Sequence, residues 1–491
     1  MEIGQRLSDL PRNHAPRMKR ITPTKRRFGF VSFESFVVTA WTVLRCLALT
    51  SLCLLTLSPQ AGQPVLYSTD LFHPHDDPDD HFDLAVLHAI RGIELKGIVL
   101  DQGAIQRRQP GRIPVSQLDR LTGRRVPVAV GLPEKLESPE DKALDQDEDG
   151  QQGVRLILDT LESSPKPVAL VTVGSVRDVV AAFHREPALC RRQIRRVLCF
   201  IGEASKAGFR EHNVGLDPQA FIGLMRSGLP VYWVPCFDGG PWQNRGSASF
   251  WQASHAELLA SAPPGLVQFF LYAIEKKTTD PLAFLAEPVD AASRARLFGM
   301  QRNLWCTAVF VTLADQGVAF DPEKGAQFVD LAPASTGPQP SGLLFAFEKV
   351  DVRISDEAVI QYGPAPDAKT IHRFKVLDPA RYGQGMTAAT AALLRQFPVR
   401  ETQERKEEGS ATEESVGCTT LSSSPALRVT SRIGWERAGV RVVCPVSCRP
   451  LSKPTADAEP AQTRQRQPAA PLHPRRRTVP APAPSGLRAC G

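Results

Sequence analysis

From residue 64 to residue 237 the chain alternates short, uniformly apolar runs with longer amphipathic ones, and this alternation narrows the fold more than any other feature. PVLYS (64–68), LKGIVL (95–100), VPVAVG (126–131), KPVALVTVG (166–174), RRVLCFIGEA (195–204) and LPVYWVPCF (229–237) read as strands. FDLAVLHAI (82–90), QGVRLILDTLESS (152–164) and VRDVVAAFHRE (176–186) read as helices between them. A strand that is apolar on both faces needs cover on both faces, and crossover helices supply it in a parallel sheet. The expected fold is α/β, with a mainly parallel, doubly wound, Rossmann-like sheet. After about residue 340 the runs LLFAFEKVDVRIS, AVIQYG and IHRFKVLD predict a small antiparallel addition, and GMTAATAALLRQF (385–397) a last helix.

The two ends differ from this body. Residues 1–61 carry nine Lys/Arg against three Asp/Glu, residues 401–491 fourteen against nine, and residues 62–400 carry 36 against 40. The net charge of +7 therefore comes from the ends, and the body lacks the basic balance of a nucleic-acid-binding surface. Lys19, Arg20, Lys25, Arg26 and Arg27 precede the apolar run CLALTSLCLLTL (46–57), and SPQAGQ (58–63) offers small residues near Ala61. That order is an export signal, or an N-terminal anchor if 36–57 is counted as one segment. The body is expected outside the cytoplasm, touching a membrane only through residues 1–61. Residues 401–491, rich in Glu, Ser, Pro, Arg and Gln, read as a disordered tail. The folded domain is then 62–400. None of the ten cysteines has CxxC spacing, which speaks against zinc; Cys190, Cys199, Cys236 and Cys306 read as core or free thiols, with a Cys190–Cys199 bridge open.

In a parallel sheet, ligands bind outside the carboxyl ends of the strands. HPHDDPDDHFDLAVLHAI (73–90) puts Asp76, Asp77, Asp79 and Asp80 between the first strand and first helix, close after Asp70. Two readings stand side by side. Carboxylates at a helix N-terminus are stabilised by the macrodipole and can simply be solvated. Asp70 and Asp79/Asp80 could also converge on a hard cation, which needs several oxygen ligands. His73, His75, His81 and His88 crowd the same loop, as solvated side chains or as a proton donor or ligand. Trp242, Trp251, Asn244 and His255 suit a sugar or base pocket, or packing beneath a long loop. VGSVRDV has one glycine and no lysine, so it is not a phosphate loop.

STDLFHPHDDPDDHFDLAVLHA resembles the N-terminal signature of the inosine-uridine nucleoside hydrolases, a strand followed by D-x-D-P-G-x-D-D and an apolar helix. VALVTVGSVRDVVAAF (168–183) is similar to that family's glycine turn between strand and helix, and REHNVGLDPQAFIGLMRSGLPVYWVP (210–235) to its E-x-N…D-P-x-A segment. The resemblance implies a calcium-dependent hydrolase of N-ribosidic bonds, whose small-molecule partner is a riboside, and whose common state is a homo-oligomer. It implies Asp70 as calcium ligand and base, Asp80 as calcium ligand and the Val173 carbonyl as a third. Asp79, Glu211 and Asn213 would bind ribose hydroxyls. Asp217 is read instead as the cap of a helix starting at Pro218.

The chain departs from the pattern in three places. Ser68 stands where the signature has its first aspartate. The loop between Asp70 and Asp79 is about five residues longer than the signature's. A late His-Asp pair, the family's leaving-group acid and a further calcium ligand, is replaced by Trp305-Cys306, expected on a helix spanning 302–315, with Asp315 more than two turns away. Two further readings follow: an inactive relative that binds a sugar-like ligand, and a cell-surface interaction protein.

Overall fold

Val65 and Tyr67 face one side of the first strand and Leu66 the other, and all three are buried. That single strand shows why the apolar runs do not alternate: both faces of the sheet are covered. The computed structural model describes residues 62–205, 209–332 and 338–400. The expected export segment and C-terminal tail lie outside the described residues.

The strands are β1 (Gln63–Thr69), β2 (Ile93–Leu100), β3 (Val128–Val130), β4 (Val168–Thr172), β5 (Ile194–Phe200), β6 (Val231–Val234), β7 (Trp251–Ser254), β8 (Gln301–Leu304), β9 (Gln316–Asp321), β10 (Gly325–Asp330), β11 (Phe345–Ile354), β12 (Ile360–Tyr362) and β13 (Lys369–Val376). Nine of them form one sheet in the order β12-β11-β13-β6-β5-β4-β1-β2-β3. From β13 through β6 to β3 every neighbouring pair is parallel. The expected antiparallel addition is not a separate layer. β11 pairs antiparallel with β12 and β13, and β13 joins β6, so the three strands extend the main sheet.

Helices cover both faces. On one side lie α1 (Asp79–Ala89), α2 (Arg112–Thr122) and, further along, Pro264–Ile274 and Tyr382–Arg395, packed around Phe82, Phe269, Phe270 and Phe310. On the other lie α3 (Gln152–Ser163), α4 (Arg177–Arg185) and α5 (Pro218–Arg226), around Ile157, Val180, Phe221 and Trp233. Asp217 caps α5 as expected, its carboxylate accepting from Ala220 N at 3.0 Å. Cys190, Cys199, Cys236 and Cys306 are buried free thiols. Among the described residues no helix is long and apolar enough to cross a membrane.

The expected helix over 302–315 does not form. Gln301–Leu304 is strand β8, paired antiparallel with β7, and Thr307–Ala314 is a 3-10 helix. Four of the eight residues in TAVFVTLA are β-branched, which lowers the preference for an α-helix, and the cross-strand partner secures the extended start. Asp315 ends that segment in the left-handed region and pairs with Arg195 and Arg196, both at 2.7 Å.

Candidate active site

Strand order reverses between β4 and β1: β2 and β3 lie beyond β1, while β5 and β6 lie beyond β4. In an open α/β sheet the crevice opens outside the carboxyl ends of the two strands at such a point. Here the three strand ends are laced together. Val173 N donates to Ser68 O at 3.0 Å, and Asp101 N, just after β2, donates to Thr69 O at 2.8 Å. Asp101 accepts in turn from Ser175 N at 2.6 Å and Ser175 Oγ at 2.7 Å. The turn needs glycine at 174, because a Cβ there would stand 2.5 Å from Asp101 Oδ2.

A cavity of about 720 Å³ opens over these ends, and Asp70, Asp79, Asp80, Val173, Glu211 and Asn213 all line it. Asp70 follows β1 directly and Asp79-Asp80 form the first turn of α1. Thr69 Oγ1 donates to Asp80 Oδ2 at 2.8 Å, and the Asp70 and Asp80 carboxyls are in hydrogen-bonding contact. Gln102 Nε2 reaches Asp70 Oδ2 at 3.4 Å from a left-handed backbone, φ 55°.

Desolvation and mutual repulsion raise these carboxyls. Burial first, then Asp101 and Asp79, push Asp70 up to about 8. Burial, then Asp77, pushes Asp79 up to about 6. Burial, then Asp70 and Asp79, hold Asp80 well above the carboxylate range.

Glu211 N-caps the short helix His212–Leu216, accepting from Gly202 N at 2.8 Å, Asn213 N at 3.0 Å and Val214 N at 3.2 Å. Asn213 Nδ2 donates to Val173 O at 3.1 Å and Phe200 O at 2.9 Å. Both hydrogens of that amide are thereby used, and Oδ1 remains as an acceptor.

The donor set fits a divalent cation. Asp70 and Asp80 are desolvated carboxyls in contact, and a cation removes the repulsion that raises their affinity for protons. Val173 O keeps one lone pair beyond its bond to Asn213. Among the described residues no group of three or more His, Cys, Asp or Glu side chains is arranged to hold a metal ion, so a cation here would have to rely on Asp70, Asp80 and the Val173 carbonyl. Water and ligand hydroxyls would have to complete a calcium shell of six to eight oxygens.

Two buried acids behind this site, Asp83 and Asp101, are absent from the sequence reading, whereas Trp305 and Cys306 stand where it placed the departure from the family pattern. Asp83 lies one turn beyond Asp79, is 3% exposed, and accepts from Thr307 N at 3.1 Å and from the Cys306 thiol. An acid in an otherwise apolar helix was its signal. Asp101 follows β2 as Asp70 follows β1, and strand-end position was its signal. Cys306 lines the cavity, and burial, then Asp83, push its thiol well up. Trp305 lines the cavity beside Phe237 and Trp242, with ring centroids 6.0 and 6.2 Å away.

The remaining candidates divide. His75 and Trp242 line the cavity. His73 bonds Lys277 O at 2.7 Å and stacks on Tyr272, while His81 and His88 are buried on α1. Asn244 Nδ2 holds its own loop through Ala248 O at 2.6 Å. Trp251 is buried, and His255 is buried against Arg302 Nε at 3.1 Å.

The family model for inosine-uridine preferring nucleoside hydrolases matches residues 67–332, more than half of the chain. The chain belongs to that family. A non-specific ribonucleoside hydrolase, RihC, of Salmonella schwarzengrund is 31% identical over 78 residues, covering 15% of this chain and 25% of that protein. The match thus spans about a quarter of that relative's length. Among solved structures, the inosine-uridine preferring nucleoside hydrolase of Bacillus anthracis is 13% identical with a TM-score of 0.39, covering 68% of this chain and 99% of that one. A plant nucleoside hydrolase is 12% identical with a TM-score of 0.41, covering 67% and 99%.

Proposed function

We propose that the protein is an exported, calcium-dependent hydrolase of N-ribosidic bonds in nucleosides or related ribosides. One observation carries this reading: the six residues implied by the family pattern, drawn from three separate segments, line a single cavity at the topological switch point.

Asp79, Glu211 and Asn213 supply acceptors for ribose hydroxyls, with Asn213 Oδ1 as the free end of its amide. Water adds at C1′ as the C1′–N bond breaks through an oxocarbenium-like transition state, and the bonding pair leaves on the aglycone nitrogen. Asp70 takes the water's proton. Asp70, Asp80 and Val173 O would hold Ca²⁺, which when bound lowers the pKa of a coordinated water and fixes ribose oxygens. With the cation absent, Asp70 at about 8 is protonated at neutral pH and is no base.

A second reading, an inactive relative that binds a sugar-like ligand, is favoured by one observation. Trp305 and Cys306 replace the His-Asp pair, and a neutral thiol is a poor calcium ligand. Sugar release by the full chain from a panel of purine and pyrimidine ribosides, with Ca²⁺ and with chelator, separates the two. Calcium-dependent release supports the hydrolase; binding of ribosides without release supports the second reading.

A further inference from the structure

We propose that the amino-terminal end of the sheet is a membrane-docking face, whose arginines bind the head groups of anionic phospholipids. This face lies at the opposite end of the strands from the cavity described above, and the proposal does not depend on the reaction there.

The first observation is where the chain enters the fold. β1 begins at Gln63, six residues after the apolar run 46–57 that reads as an export signal or anchor. Gln63 N donates to Gly92 O and Gln63 Nε2 to Pro167 O, both at 2.8 Å. Arg195 Nη1 donates to Gln63 Oε1 at 2.5 Å. The entry point is thereby fixed among the amino ends of β2, β4 and β5. A link of six residues reaches at most about 20 Å. An apolar run held in a bilayer therefore keeps this end of the sheet beside the head groups.

The second is the charge of that end. Arg91 precedes β2, Arg124 and Arg125 precede β3, and these three exposed residues line one cavity of about 600 Å³. The Arg400 side chain stands beside them against Gly123, which has a left-handed backbone (φ 69°) and no Cβ to obstruct it. Glu94 lines the same cavity but is paired with Lys96 at 2.6 Å, and Asp119 accepts from Val126 N at 3.4 Å. Among the described residues no carboxylate pairs with Arg91, Arg124 or Arg125.

Cations are also favoured at helix C-termini, and α1 and α2 both end here. Arg124 serves that purpose, donating to His88 O at 3.4 Å. Arg91 and Arg125 donate no side-chain hydrogen bond among the described residues. Guanidinium groups without carboxylate partners match phosphate, which they bind through paired N–H donors. The neighbouring apolar run favours a membrane over a nucleic acid as the source of those phosphates.

The third is the opposite sign at the other end of the strands. Residues 131–151, which follow the carboxyl end of β3, carry eight Asp/Glu against two Lys. Such a separation of charge turns the basic end toward an anionic surface. The cavity over the β4 and β1 ends then opens away from the membrane, towards soluble ribosides.

The test measures partition of the full chain onto vesicles of phosphatidylcholine and of phosphatidylcholine mixed with phosphatidylglycerol. The ratio of the two partition constants cancels the share of the apolar run. Arg91, Arg124 and Arg125 are changed together to Gln and, in a second variant, to Glu. Arg107, Arg108 and Arg112, exposed residues beyond the carboxyl end of β2, are changed to Gln as a control of equal charge. The ratio is expected to fall about 100-fold in the triple Gln variant, further in the Glu variant, and little in the control. Each single change to Gln should account for about 5-fold, which keeps the outcome readable if a triple variant does not fold. An unchanged ratio in folded variants overturns the proposal and leaves the arginines to another occupant, such as the acid-rich residues 401–414 that follow Arg400. An equal fall in the control also overturns it, since net charge alone would then explain the binding. So does binding to a DNA duplex that the Gln changes abolish while the vesicle ratio stays intact.

Discussion

Asn213 Nδ2 donates to the carbonyl oxygen of Val173 at 3.1 Å, and through this bond the loop after β5 is fixed to the end of β4. The same nitrogen holds Phe200 O at 2.9 Å, so one side chain that lines the cavity bridges two strand ends. Asn213→Asp replaces a double donor by an acceptor facing two carbonyls. It is expected to destabilise the protein by about 1–3 kcal/mol and to abolish sugar release. Denaturant unfolding beside the release assay checks both; a variant as stable and active as the parent would remove Asn213 from the account.

The raised carboxyls fix a pH dependence. Asp70 rises from an ordinary value to about 8 and Asp79 to about 6 in the folded protein, chiefly through burial. The folded state therefore binds these protons more tightly than the unfolded chain does. That stability is fully present below the unfolded carboxylate range and is lost as pH rises through about 6 and then about 8. In chelator, the melting temperature should fall between pH 5 and pH 9, by roughly several degrees. Added Ca²⁺ should flatten the fall, because it favours the ionised carboxyls. A melting temperature that rises over this range in chelator contradicts the assignment.

Trp305 stands where the family pattern has its leaving-group acid, and its buried indole N–H, which has no hydrogen-bond partner, can donate a hydrogen bond but not a proton. Trp305→His places a titratable ring there. The kcat/KM for inosine is expected to rise by about 10-fold or more, with a new pH dependence. An unchanged value from a folded variant would show that protonation of the aglycone does not limit the parent.

Cys306 is the neutral group where the family has a carboxylate, and its thiol already rests on Asp83. Cys306→Asp adds a carboxyl to a crowded, desolvated cluster. In chelator the variant should melt below the parent. In Ca²⁺ it should gain more than the parent does, since a cation that binds only the folded state stabilises by its affinity. Equal calcium-induced shifts in parent and variant would place the ion away from residue 306.

Much of the frame was legible because it follows from local pattern. The doubly apolar runs at Val65–Tyr67 and Val168–Thr172 require cover on both faces, and they lie in the interior of the sheet. Asp70, Val173 and Asn213 could be placed at strand ends because a parallel sheet collects ligands there. The segment at 302–315 was misread because its apolar, β-branched run suits several conformations. Its pairing with Trp251–Ser254, about 50 residues away, decided among them. Asp83 and Asp101 escaped notice because each is one acid beside an apolar run. Only the packing of α1 against Thr307 and of the end of β2 against Ser175 places them behind the residues that line the cavity.

The central claim is that the carboxyls at the switch point make a calcium-dependent riboside hydrolase. The most direct measurement is sugar release by the full chain and by Asp80→Asn, side by side, in Ca²⁺ and in chelator. The account predicts release by the parent in Ca²⁺ alone and none by Asp80→Asn in either condition, with both proteins folded. Equal release by the two proteins, or release by the parent that chelator does not touch, would contradict it.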